Sequence, residues 1–302
     1  MNLRDLDYIC AVADLKHFGK ASEACNVSQP TLSGQIKKLE GTLGVKLFER
    51  GHKGIRVTPI GEEVIEIARQ ARSSVDRIHD VAAASQDPLA GTLSLGLIPT
   101  IAPYLIPLFV SEISQDLPKL SMAYREDITD RLTEDLLSGD LDAAILATPP
   151  EDNNLASLPL YSEPFWMIYP EEHPLSNIKN ATMDDVSLDD LLLLTEGHCF
   201  RDHALSICSP YHAARQQNLR ATSLETLINL VASGQGMTLV PSLAMRTGWF
   251  YDMGLESQKV VDENAHREVH ITYRKQFPRI AALEAIAKTI KAGLPKSVNI
   301  AS

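Results

Sequence analysis

Two cysteines, Cys199 and Cys208, stand nine positions apart in HCFRDHALSIC, a stretch whose residues also suit a helix. Nine helical residues rise about 13 Å, whereas a disulfide needs Cα atoms within about 7 Å. The pair therefore cannot be bonded and helical at once. If both thiols react, oxidation must unwind the segment, and a covalent change becomes a conformational one. The neighbours suggest an order. Cys199 keeps company with His198, Arg201 and His203, and cations favour the thiolate, which is the nucleophilic form. Cys208 has Ser206, Ser209 and Pro210 around it and no adjacent cation, which suits a resolving thiol. The ordinary alternative is packing, because free cysteine behaves as a small buried hydrophobe. Spacing alone favours packing, and the company of Cys199 argues against it.

The rest of the chain has to position such a switch. With 302 residues, 44% of them hydrophobic, it can build two or three domains that each bury a core. Arg4, Asp5, Asp7, Asp14, Lys16 and Lys20 exclude an uncharged signal segment at the start, and no apolar run reaches membrane-spanning length. A cytoplasmic protein is expected, with its four cysteines reduced at rest and any disulfide transient or sensory. No cofactor or metal ion is called for. The net charge of −11 hides an asymmetry: residues 1–58 carry nine cations against six anions, +3, which leaves −14 for the remainder. A basic head on an acidic body points to an anionic partner for the head alone.

In that head Leu3, Leu6, Ile9, Cys10 and Ala13 recur at helical spacing, Ala21 and Ala24 fall in a second short helix, and Asn26-Val27 form a turn. Ser28 caps a third helix, with Pro30 tolerated in its first turn. Leu32, Ile36, Leu39 and Leu43 make its buried stripe, so Gln29, Thr31 and Ser33 face outward where they can reach base edges, with Lys37 and Lys38 near phosphates. Arg50 to Thr58 reads as a glycine-turned hairpin with Arg50, Lys53 and Arg56 as cations, a basic wing. A purely structural three-helix domain would share the apolar spacing but not this wing. Cys10 and Cys25 are expected to be small core residues.

ACNVSQPTLSGQIKKLEGTLGVKLFER followed by VTPIGE resembles the winged helix-turn-helix of LysR-type transcriptional regulators. With Cys199 and Cys208 included, the whole chain is similar to the peroxide-sensing members of that family. The resemblance implies an α/β protein with three parts: the winged helix-turn-helix at residues 1–58, a linker and dimerisation helix at 59–88, and a two-lobed, periplasmic-binding-protein-like regulatory domain at 89–302. Lobe I takes about 89–163 and 268–302, and lobe II about 164–267.

The residues support that plan. Thr58 caps and Pro59 opens a helix along which Val64, Ile67, Ala71, Ser74, Ile78 and Val81 form a heptad seam to about residue 86. A seam of that length suits a dimer, and Asp87 to Gly91 end it. From Thr92 onward strands alternate with helices: TLSLGLIPT, a helix from Ile101 to Ile113, LSMAYRE, a helix from Ile128 to Leu137, and LDAAILA. A mostly parallel sheet is expected. FWMIYP starts a second run, VHITYRK returns as a strand, and VVDENAH before it is read as loop. Residues 221–244 form a helix-glycine-strand element with Ser223 as cap and Gly234 and Gly236 permitting the turn.

Thr100 and Thr129 fall at successive strand-to-helix junctions, where ligands bind in such sheets; from the residues alone, each reads first as a helix cap. The resemblance implies that both help to hold hydrogen peroxide against Cys199, with His198 and Arg267 in the same pocket and Cys208 resolving. It also implies double-stranded DNA and RNA polymerase as partners, a homodimer or homotetramer, and a thiol reductant such as glutaredoxin or thioredoxin. Two other readings stay open. One is a regulator of the same type that binds a small organic metabolite between the lobes. The other is a thiol peroxidase, which leaves residues 1–86 without purpose, so a non-enzymatic regulator is preferred.

Overall fold

In the computed structural model, residues 1–51, 54–84, 87–187, 189–207, 220–247, 251–262 and 264–301 are described. They form two compact units, one built on Met1–Ala82 and the other on Ala83–Leu137 and Leu141–Ser302.

The first unit is a winged helix-turn-helix. Asn2 and Asp5 close a capping box at the start of α1 (Leu3–Leu15), α2 is Phe18–Ala24, and α3 is Gln29–Leu43, capped by Ser28 and ended by Gly44 at φ +72°. Their facing stripes supply Ile9, Cys10, Val12, Ala21, Leu32, Ile36 and Leu39 to one core. The wing is β1 (Phe48–Gly51) paired antiparallel with β2 (Gly54–Val57), with Glu49 opposite Arg56. The Thr58 hydroxyl accepts from Gly61 N at 3.0 Å and so caps α4 (Pro59–Ala84), as expected. Ile65 and Ala68 of α4 pack into the head core. Ile67 and Ile78, on the expected heptad seam, are 65% and 67% exposed.

The second unit runs β3 (Gly91–Leu97), α5 (Ala102–Leu105), a 3₁₀ turn Ile106–Leu108, α6 (Val110–Asp116), β4 (Leu120–Glu126), α7 (Thr129–Ser138), β5 (Ala143–Leu146) and the long β6 (Leu155–Pro170). There follow β7 (Leu193–Leu194), α8 (Cys199–Ile207), β8 (Arg220–Ala221), α9 (Leu224–Ala232), β9 (Thr238–Pro241), β10 (Leu255–Lys259), β11 (His266–Arg274), α10 (Ile280–Gly293) and β12 (Asn299–Ile300). The principal sheet is ordered β10-β6-β11-β5-β3-β4, with β9 and β12 also on β6. Helices and sheet enclose one continuous core.

Two expectations are corrected. The helix from Ile101 to Ile113 is broken into α5, a 3₁₀ turn and α6, because Pro107 supplies no N–H and its ring crowds the carbonyl one turn back. The sheet is mixed rather than mostly parallel: β3 pairs parallel with β4 and β5, but β6 and β11 return antiparallel. Arg267 lies near the start of β11. The glycine turn is as expected. Gly236, at φ +133°, has the backbone oxygen of Asp190 2.2 Å from where a Cβ would sit, so no side chain fits. Among the described residues no helix is long and apolar enough to cross a membrane.

Candidate functional site

Cys199 is the first residue of α8, directly after Gly197 at φ +92° and His198. The helix is fixed from below by Phe200, Ala204 and Ile207, which are buried at helical spacing. The Phe200 ring meets Phe165 of β6 edge-on at 5.1 Å, and its face lies 5.4 Å from the Arg267 guanidinium carbon. Cys199 is thereby held half-buried at the start of a well-anchored helix. Cys208 lies outside the described residues.

Arg267 organises the floor of the site. Its side chain is 0% exposed, as is that of Glu163. Nε and Nη2 donate to Glu163 Oε1 at 2.9 and 2.7 Å. Nη1 donates to the Thr100 hydroxyl at 2.8 Å and Nη2 to the Thr100 carbonyl at 3.0 Å. Thr100 therefore caps no helix: its oxygen is taken up by a cation, and its own proton remains to be donated. The Thr129 hydroxyl lies close enough to the Cys199 sulfur to favour the thiolate. It is buried, though, and has no hydrogen-bond partner in good geometry among the described residues. It caps nothing either. Both threonines face the thiol's surroundings, as does buried His198.

The electrostatics differ from what sequence neighbours suggest. Burial pushes the Cys199 thiol above its usual pKa, and Asp202 adds to this; Arg267, the Thr129 hydroxyl and the Phe200 N–H pull the other way without prevailing. Burial lowers His198, and burial, then Arg267, lowers His203, so both imidazoles are neutral at pH 7 and supply no positive charge. Arg201 is turned to the Leu194 carbonyl at 3.3 Å. The cation that favours the thiolate comes instead from β11, far along the chain, because the sheet brings that strand beneath α8.

Two cavities meet at Cys199. One is a narrow recess between Ile98, Pro99, Thr100, Ile128, Thr129, Gly197, His198, Cys199 and Phe200, too tight in this conformation to hold a water-sized molecule. The other is a broad, open cleft of about 770 Å³, bordered by Thr129, Cys199, Thr272 and four acidic residues, Asp130, Glu151, Asp152 and Asp202. The thiol is reached from the cleft, and the threonines converge on it at the recess.

In the first unit, Gln29, Pro30, Thr31, Ser33 and Lys37 are all exposed along one side of α3, and Arg56 is exposed on the wing. Arg50 lies on β1, while Lys53 is outside the described residues. Glu40, buried on α3, joins helix to wing by accepting from Leu47 N at 2.9 Å and Phe48 N at 3.3 Å and pairing with Lys46 at 2.7 Å. Burial alone would raise its pKa, but these bonds outweigh it and hold the carboxyl below its usual value. Cys10 is fully buried and Cys25 half-buried in this head, as expected, and burial raises both thiols.

Residues 3–62 match the bacterial regulatory helix-turn-helix protein of the lysR family, and residues 86–295 match the LysR substrate binding domain. The chain belongs to the LysR family. Its LysR relatives are transcription regulators rather than enzymes. The DNA-binding transcriptional dual regulator OxyR of Escherichia coli K12 is 39% identical over 292 residues, 97% of this chain and 95% of that protein. A full-length OxyR cysteine-to-aspartate variant from Pseudomonas aeruginosa aligns with a TM-score of 0.72 at 36% identity, covering 96% of this chain and 98% of that one. An OxyR cysteine-to-serine variant from Corynebacterium glutamicum, solved with hydrogen peroxide bound, aligns with a TM-score of 0.65 at 32% identity, covering 97% and 92%.

For a LysR regulatory domain the site thus brings together Cys199, His198, Thr100, Thr129 and Arg267. Sequence reasoning misses Glu163, Phe200 and Asp202 here and Glu40 in the head. The one available signal for Glu163 is a lone charge immediately before the apolar run PFWMIYP.

Proposed function

We propose that this LysR regulator binds double-stranded DNA through residues 1–58 and senses hydrogen peroxide through Cys199, with residues 59–88 as linker and 89–302 as sensor. The observation that carries the reading is a half-buried thiol with two threonine hydroxyls beside it, Thr129's buried without a well-formed hydrogen bond and Thr100's with its proton uncommitted. A ligand that both donates and accepts satisfies such a pair. OxyR relatives point the same way.

The Cys199 sulfur attacks one peroxide oxygen, the O–O bond breaks, and the departing hydroxide takes up a proton to leave as water. Cys199 becomes a sulfenic acid. The Cys208 sulfur then attacks the Cys199 sulfur, an S–S bond forms, and a second water leaves. The second step demands unwinding. The end Cα atoms of nine-residue α8 lie about 12 Å apart, and one further step spans about 3.8 Å. At least about 8 Å then separates the two cysteine Cα atoms while α8 is intact, beyond the limit for a disulfide. The reshaped segment alters how regulatory domains pack in a homodimer or homotetramer joined through the exposed seam of α4, and the heads shift on DNA. RNA polymerase and a thiol reductant are the further partners this scheme requires.

Cys199→Ser is expected to abolish peroxide-dependent footprinting while leaving DNA binding in place. Thr100→Val and Thr129→Val are expected to slow the peroxide reaction at least about tenfold, or roughly 1.4 kcal/mol, with little change toward a bulky thiol reagent. A second reading, an organic effector in the 770 Å³ cleft, predicts no thiol lost on treatment with stoichiometric peroxide; the peroxide reading predicts two.

A further inference from the structure

We propose that Glu163 is a positioning residue for the peroxide reaction, acting through Arg267 to set the donor that meets peroxide and to hold back the thiol's general reactivity. The proposal rests on the peroxide reading and deepens it.

Glu163 and Arg267 are directly opposite in the antiparallel register of β6 and β11, and their side chains are fully buried. Every oxygen of the carboxylate is used: Oε1 takes Nε and Nη2 of Arg267, and Oε2 takes Leu243 N at 3.0 Å. The carboxylate is thus itself pinned to the backbone of a third segment. A guanidinium has five N–H donors in a rigid plane. Four are committed here: Nε–H and one Nη2–H to Glu163, the other Nη2–H to the Thr100 carbonyl, and one Nη1–H to the Thr100 hydroxyl. One donor is left among the described residues. It sits on Nη1, the nitrogen that already holds Thr100, a residue lining the recess.

Two donors converging on one carboxylate oxygen, with two more held by Thr100, fix the plane of the guanidinium, with the Phe200 ring lying against it. That plane decides where the spare N–H points and which way the Thr100 hydroxyl must aim its own proton. Without Glu163 a fully buried cation would stand unpaired, and it would reorient or draw in water to recover solvation. Glu163 also changes what the sulfur experiences. Paired, Arg267 is one end of a dipole; unpaired, it is a full positive charge near Cys199. Glu163 therefore keeps the thiol from becoming a thiolate open to any electrophile, while directing the local donors at peroxide.

These two roles give opposite signs in one variant. Glu163→Gln is expected to raise the rate of Cys199 alkylation by iodoacetamide several-fold at pH 7.5 and to lower its rate with hydrogen peroxide about tenfold, both measured on the full chain by stopped flow and mass mapping. Glu163→Asp, which keeps the charge but shortens the reach, is expected to lose only the peroxide rate. Should Glu163→Gln not fold, Glu163→Asp and the neutral double variant Glu163→Gln/Arg267→Met carry the test. The double variant should show the same peroxide-to-iodoacetamide ratio as Arg267→Met alone. Unchanged rates, or rates that fall equally with both reagents, overturn the positioning role. A further drop in the ratio on the Arg267→Met background overturns action through Arg267. If the wild-type thiol shows no preference for peroxide over iodoacetamide, the peroxide reading itself falls, which is a different result from a selective wild type with an indifferent Glu163.

Discussion

Phe200→Ala should make the Cys199–Cys208 disulfide harder to reduce, by an amount set by how α8 is anchored. Phe200 is 2% exposed, its ring packs edge-on against Phe165 at 5.1 Å, and its face lies against Arg267. Truncating a buried phenylalanine costs about 3–5 kcal/mol; we take about 3, since α8 starts here and its first turn can partly collapse. If bonding the two cysteines requires α8 to unwind, Phe200 stabilises the reduced state alone, and its loss raises that state's free energy by this amount. For a two-electron couple about 1.4 kcal/mol corresponds to 30 mV, so the reduction potential should become more negative by about 65 mV. The assay is equilibrium in graded dithiothreitol buffers, with the disulfide fraction counted by alkylation and mass. An equilibrium measurement is chosen because Phe200 also touches Arg267, which affects rates but not the end points. A potential within about 10 mV of wild type would mean that Phe200 stays packed after oxidation, and the unwinding scheme would fail.

The peroxide rate should climb steadily as pH rises above neutral: burial raises the Cys199 pKa, so the thiolate is scarce at pH 7 and grows toward the raised value. A rate flat from pH 6 upward would contradict the burial of the thiol. Glu40→Gln should lower stability by about 2 kcal/mol, since Leu47 N and Phe48 N lose a charged acceptor, and loosen DNA binding through the wing. Because the folded carboxyl has a depressed pKa, its contribution is fully present above the unfolded value of about 4.3 and is lost as pH falls through the folded one. Melting curves of wild type and variant should therefore converge in acid. Lys37→Ala and Arg56→Ala should each weaken binding to all DNA and flatten the salt slope by about one unit, whereas Gln29→Ala and Ser33→Ala should erode discrimination between sites. Equal loss of specific and non-specific binding in all four would remove the assignment of α3 to base reading.

What is legible in the sequence is what is local. Caps at Ser28, Thr58 and Ser223 and the first three members of the α3 stripe each depend on residues a few positions apart, and the structure places them as read, whereas Leu43 at the end of that stripe is exposed. Thr100 and Thr129 are legible as junction residues because a strand ending and a helix beginning leave a signature. Long-range pairing leaves none. Nothing in the text brings Glu163 opposite Arg267, 104 residues away, since that depends on the antiparallel register of β6 and β11. The charge reading around Cys199 fails for a related reason. His198 and His203 look cationic in a string of letters, but burial, invisible there, removes their protons. The break at Pro107 is readable in principle, and it is missed because the apolar spacing continues across it.

The place of β11 in the sheet has a consequence for the newly made protein. It is inserted between β6 and β5, yet it is nearly the last strand to be synthesised, so the sheet cannot close until Arg274 has left the ribosome. At about 5–20 residues per second, the stretch from Cys199 to Arg274 takes roughly 4–15 s to make. During that interval the thiol exists without the guanidinium beneath it, without the Glu163 pair and without the packed Phe200. The DNA-binding head, complete some two hundred residues earlier, is ready first. A cell under oxidant pressure while it translates this chain thus holds a finished head tethered to an unshielded cysteine, and the maturity of the sensor is a matter of seconds as well as of sequence.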